Sequence, residues 1–127
     1  MVTKILVDRD IEAGRALIEA LDHQQIPVST ALWLYDDGGE RYRLTIATAI
    51  YDSGPLDAYG TVRRVLDQLD PETRPSLPDV NIVSPSDPIV QAIHKTVKAD
   101  SRIGGFRFNG NTIDGIYVED AWIYFSR

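Results

Sequence analysis

The chain has 127 residues, 43% of them hydrophobic and 25% charged, with 19 acidic side chains against 13 basic ones. That fits a single globular domain spanning residues 1–127, which buries roughly two thirds of the surface its unfolded chain exposes. A net charge of -6 opposes a general nucleic-acid coat, because phosphate binding draws on a basic surface, and the absence of cysteine removes disulfides, thiolate metal sites and thiol nucleophiles. No run approaches the ~20 apolar residues of a membrane helix, and residues 1–10 lack the layout of a secretion signal, so a cytoplasmic protein with no membrane contact is expected.

Asp8 and Asp10 precede a segment in which Ile11, Leu17, Ile18 and Leu21 recur at helical spacing, predicting a helix over about 9–23 with an aspartate as its N-cap. Pro27 resists its continuation. Residues 28–36 and 40–50 then alternate like strands around Asp37, Gly38 and Gly39, which predicts a β-hairpin. A two-residue turn would set Leu34 against Arg41 and Leu32 against Arg43. A three-residue loop with Gly39 at positive φ instead pairs Leu34 with Tyr42, Leu32 with Leu44 and Thr30 with Ile46, and is the expected register. It assigns Val28, Leu32, Leu34, Leu44, Ile46 and Ile50 to the core face and sends Ala31, Trp33, Tyr35, Arg41, Arg43 and Thr45 to the other.

Gly54-Pro55 opens a second helix with the stripe Leu56, Tyr59, Val62, Val65, Leu66 and Leu69, halted at Pro71. Prolines 71, 75 and 78 make the next stretch an irregular crossover. Val80, Ile82 and Val83 read as a short buried strand, and Asp87-Pro88 starts a third helix that turns Ile89, Val90, Ile93 and Val97 inward as far as about Ala99. The tail reads as a second hairpin turning at Asn109-Gly110, with a return strand from Thr112 to Phe125. Its end, Ala121 to Phe125, is apolar on both faces and suits a central strand, while Glu119 and Asp120 mark a bulge. The order α-β-β-α-β-α-β-β predicts an α+β domain, with a mixed α/β arrangement as the alternative, built on a single sheet of about five strands with three helices. Strands joined through the second and third helices are right-handed crossovers where they run parallel.

No phosphate-binding glycine loop, dinucleotide fingerprint, zinc-protease helix or nucleophile elbow occurs, and no cofactor is expected. His23 closes the first helix, where an imidazolium favours the dipole. His94 is the candidate catalytic residue: a general base followed by Lys95, Lys98 and Arg102 suits phosphoryl chemistry or RNA cleavage. The competing reading is a boundary histidine on an amphipathic helix. Asp114 and Asp120 are the candidate ligands for a divalent cation, against the alternative of a salt bridge to an arginine. Asp36 and Asp37 read as turn chemistry, and Ser84, Ser86 and Asp87 as a helix start.

The least random feature is the set Trp33, Tyr35, Arg41 and Arg43. In the expected register Trp33 lies across from Arg43 and Tyr35 across from Arg41, so each ring can stack on a guanidinium. These residue types populate binding hot spots. The expectation is therefore a non-catalytic module that uses this face to self-associate or to bind another protein. Nucleotide or single-stranded nucleic-acid binding on the same face is the alternative, disfavoured by the acidic balance. A small hydrolase or nuclease centred on His94, with Lys98, Arg102 or Glu119, is a further one. Should a helix cover the ring-bearing face, the rings are core and the platform is lost.

Overall fold

The computed structural model describes residues 5–36, 38, 40–97 and 103–127. Helix α1 (Asp8–His23) starts after Val7, whose N–H donates to the Asp10 carboxylate at 3.2 Å. The aspartate thus reaches back from the first turn and does not occupy the N-cap itself. Strands β1 (Thr30–Asp36) and β2 (Arg41–Ala47) follow, then a one-turn helix α2 (Ile50–Ser53) and α3 (Pro55–Leu66). A 3-10 turn at Leu77–Asp79 leads into β3 (Val80–Val83), α4 (Pro88–Thr96), β4 (Phe106–Ile113) and β5 (Ile116–Ser126). Asp87 caps α4 as its sequence foretells, accepting the Ile89 N–H at 3.0 Å. The predicted strand over 40–50 is shorter, because Ile50 belongs to α2, and Leu56 of the predicted stripe is 88% exposed at the start of α3. The predicted end of the third helix at Ala99 lies outside the described residues, as do Asp37, Gly39, Lys98 and Arg102.

The five strands form one mixed sheet in the order β3-β2-β1-β5-β4, antiparallel throughout except for the parallel pair β2–β3. The α+β class and the order of elements are those the sequence predicts. The hairpin register is not. Asp36 faces Arg41, Tyr35 faces Tyr42, Trp33 faces Leu44 and Ala31 faces Ile46, so a four-residue connection replaces the three-residue loop with Gly39. The reason is that the sheet is covered on both sides. Helices α1 and α3 pack on Ala31, Trp33, Leu44 and Ile46, while α4 packs on Leu32, Ala121 and Ile123. Each strand therefore carries two apolar sets, and a rule that assigns one face to the core picks the wrong slip. In β5 the register shifts opposite Ala31 and Leu32, making Tyr124 an extra residue, so that Tyr124 and Phe125 both enter the core under α1.

The second hairpin turns at Asp114-Gly115, with φ 49 and 82, and not at Asn109-Gly110. Both dipeptides suit positive φ, but only the later turn gives the eleven-residue β5 a partner along most of its length. Gly110, at φ 59, lies within β4, and the ladder skips it together with Glu119 opposite. A kink there lets Phe108, Ala121 and Ile123 on one side of it and Ile113, Ile116 and Val118 on the other join the same cluster as Ala92 and Ile93. The hairpin thus curls towards the α4 face. At the opposite edge of the sheet the Ile82 N–H of β3 donates to the Tyr59 hydroxyl of α3 at 3.1 Å.

Helix α4 connects the two edges of the sheet and is too short to cover what it crosses. Its nine residues span about 14 Å at 1.5 Å per residue, against about 19 Å for five strands spaced 4.8 Å apart. It packs over β5 and β4. Among the described residues no helix packs over the β2 and β3 side of that face.

Candidate functional site

The four residues of the expected platform do not share a face. Trp33 is 4% exposed beneath α1, its Nε1 donating to the Tyr124 hydroxyl at 2.9 Å, and Tyr124 in turn donates to the Ile11 carbonyl at 2.6 Å. A side chain on Gly14 would collide with both rings, which shows how closely the helix lies on them. Tyr35 packs edge-on against Tyr42 with ring centroids 5.2 Å apart. Arg41 and Arg43 fall on the other side of the sheet by the observed register, so neither stacks on these rings. Arg41 is tied to the crossover through the Pro78 carbonyl at 3.1 Å and the Asp79 carboxylate at 3.7 Å.

His94 meets Ser126, with Nδ1 and Oγ 3.3 Å apart, a pairing that resembles a nucleophile with its base. Ser126, however, is fully buried and its hydroxyl lies 2.9 Å from that of Thr30. A substrate carbon has no approach to that oxygen, so the contact anchors α4 to the ends of β1 and β5. Lys98 and Arg102, which would complete the cationic set, lie outside the described residues.

Asp114 and Asp120 do not converge. They are separated along the hairpin by roughly 15–20 Å at 3.3 Å per residue, and no group of three potential metal ligands occurs among the described residues. Asp114 pairs with Lys95 at 3.2 Å. Asp120 takes a two-pronged contact from Arg107, Nε at 2.8 Å and Nη2 at 2.5 Å, and accepts the Tyr42 hydroxyl. Burial alone would raise the Asp120 carboxyl, but the hydrogen bonds from Arg107 and Tyr42 outweigh it and hold it below its ordinary value. Burial, followed by the Asp120 hydrogen bond, pushes the Tyr42 phenol up to about 12. The group is a buried-end clasp between β2, β4 and β5, with its lone pairs used.

The open half of the α4 face behaves differently. A cavity of about 310 Å³ lies there, floored by Leu34, Arg43, Thr45 and Asn81, with Tyr117 of the curled hairpin on its wall and Asp36 and Gly38 at the β1–β2 connection. Thr45 and Asn81 are neighbours in the parallel ladder. No carboxylate or carbonyl among the described residues pairs with the Arg43 guanidinium, and its Nε is enclosed with no acceptor. Thr45, beside Asn81 in the lining, is only 2% exposed. An unmatched enclosed donor costs about 1–3 kcal/mol, more when it is charged, so this is an expense the fold bears without visible structural return. A larger cavity, of about 480 Å³ beside the proline-rich crossover, contrasts with it: there Arg74 is committed to the Leu66 carbonyl at 2.6 Å and caps the end of α3.

Of the predicted binding residues, only Arg43 lines the cavity together with Tyr35. Leu34, Thr45, Asn81 and Tyr117 were not singled out by sequence. Asn109-Gly110, which reads as a turn, instead lies within β4, and Tyr117 belongs to the β5 strand that pairs with it. No helix among the described residues is long and apolar enough to cross a membrane. Comparison with protein-family models, with curated proteins and with solved structures yields no match, so the site is read from its own geometry.

Proposed function

We propose that the protein is a non-catalytic, cytoplasmic binding module that holds a small anionic ligand in the cavity on the half-covered face of its sheet. The observation that carries this reading is the Arg43 guanidinium, set in a concave site with its Nε enclosed and without an acceptor, and with no ion pair to it among the described residues. Concave sites with an apolar floor and a few converging polar groups are where small ligands bind, and guanidinium is the side chain suited to an oxyanion. A binding role is favoured over a catalytic one because His94 faces a serine with no approach for substrate, and Asp114 and Asp120 are each paired with a cation.

Two measurements test this. Arg43→Met keeps the apolar stem and removes the unmatched charge, so thermal unfolding should show a variant at least as stable as the wild type. A drop of several degrees would make Arg43 structural and sink the reading. Backbone amide NMR with acetate, benzoate, sulfate and inorganic phosphate should show saturable shifts gathered at Arg43, Thr45, Asn81 and Tyr117 for one of these anions. Shifts scattered over surface cations, or none, would overturn it.

A further inference from the structure

Resting on that reading, we infer that the cavity takes a monocarboxylate with an apolar body, and not a phosphate ester. Charge gives the first argument. Arg43 is the sole cation among the described residues that line the cavity and Asp36 stands at its rim, in a chain of net charge -6. One negative charge is matched by that guanidinium. A phosphate dianion would bring a second negative charge, and no other described lining residue carries a positive charge to meet it.

Geometry gives the second argument. Phosphate sites commonly gather several backbone N–H groups from a glycine loop or a helix N-terminus. No helix N-terminus lines the cavity, since the start of α4 is capped by Asp87 and lies elsewhere, and Gly38 is the single glycine among the described lining residues. The donor-bearing side chains among the lining residues on its β2–β3 floor are Arg43, Thr45 and Asn81. A carboxylate offers two oxygens in one plane, which a guanidinium fork and two flanking donors can saturate.

Shape gives the third. A volume of about 310 Å³ is at the lower end of ligand sites, room for a body of aromatic-ring size beyond the carboxylate. Leu34 beneath and the Tyr117 ring beside it, 64% exposed while the cavity stands open, supply an apolar wall for that body. Tyr117 should lose exposure on binding.

The test uses three probes of one shape: benzoate, benzamide and phenyl phosphate, each titrated into the whole chain and followed by backbone amide NMR. Benzoate should shift Arg43, Thr45, Asn81 and Tyr117 saturably. Benzamide, which lacks the charge, should bind at least about tenfold more weakly, as loss of one charge-assisted hydrogen bond implies. Phenyl phosphate should be weaker than benzoate, and Arg43→Met, folded as judged by its spectrum, should lose benzoate by a similar factor. Phenyl phosphate binding at these residues as tightly as benzoate would overturn the carboxylate assignment while leaving the binding-module reading intact. Equal binding of benzamide would also overturn it, and silence from all three probes would remove both.

Discussion

Beneath α1 the Trp33 indole, the Tyr124 hydroxyl and the Ile11 carbonyl form a closed relay of hydrogen bonds within a sealed core. On the neighbouring strand and the opposite face, the half-buried Arg43 encloses its Nε with no acceptor. The same sheet thus carries a polar group that is fully answered and one that is left unanswered. The α1 side does hold one exception, the enclosed Trp122 Nε1 beside Gly105, but that donor is neutral and its cost correspondingly lower. Cover makes the difference. Two long helices seal one face, whereas a nine-residue α4 reaches only part of the other.

The sealed side should break hardest. Gly14→Ala forces a methyl group into Trp33 and Tyr124, and the overpacking should cost about 2 kcal/mol net of the gain in helix propensity. Thermal unfolding would read that as a fall of about 6–10 °C for a domain of this size. Tyr124→Phe leaves the Trp33 indole N–H buried without an acceptor and should cost about 1–2 kcal/mol. On the open side the sign reverses: Arg43→Met should gain about 1 kcal/mol in urea unfolding, since an unmatched donor is removed. If both sides lose stability alike, the contrast between them is wrong.

The Tyr42, Asp120 and Arg107 clasp gives smaller, pH-dependent effects. The Tyr42 phenol is raised in the fold to about 12, above its unfolded value of 10.0, so its contribution is complete below about pH 10 and is lost as the pH climbs towards 12. Tyr42→Phe should flatten the stability profile across that window. Asp120 is shifted the other way, so its contribution is present above pH 4 or so and fades as the pH falls further. Asp120→Asn should reduce that acid dependence by less than about 1 kcal/mol, because Arg107 remains 43% exposed and screened by solvent.

The helices and the element order were legible because their signals are local: Pro55 and Pro88 at helix starts, periodic apolar residues, and Asp87 as a cap. The β1–β2 register was not, because Trp33 and Leu32 are equally good core residues, and only the positions of α1 and α4 decide which faces which helix. The second turn was missed for a related reason. Asn109-Gly110 and Asp114-Gly115 are equivalent as dipeptides, and the choice falls to the long-range pairing of β5. That Arg43 and Thr45 share a face was legible from strand alternation, but Asn81 and Tyr117 join them only through the β2–β3 pairing and the placement of β5.

The hydroxyl of Tyr59 resting on the Ile82 N–H also bears on the behaviour of this protein at high concentration. The outermost strand on that side has a donor already occupied by its own helix, so an incoming chain finds no template there. At the far side the kink at Gly110 interrupts the row of groups that a foreign strand would have to match. Replacing Tyr59 by phenylalanine would uncover one end of the sheet. Fibrillar growth, if it arises in that variant, should then start from β3 and spread from there, and dye-binding kinetics with the wild type as control would reveal it.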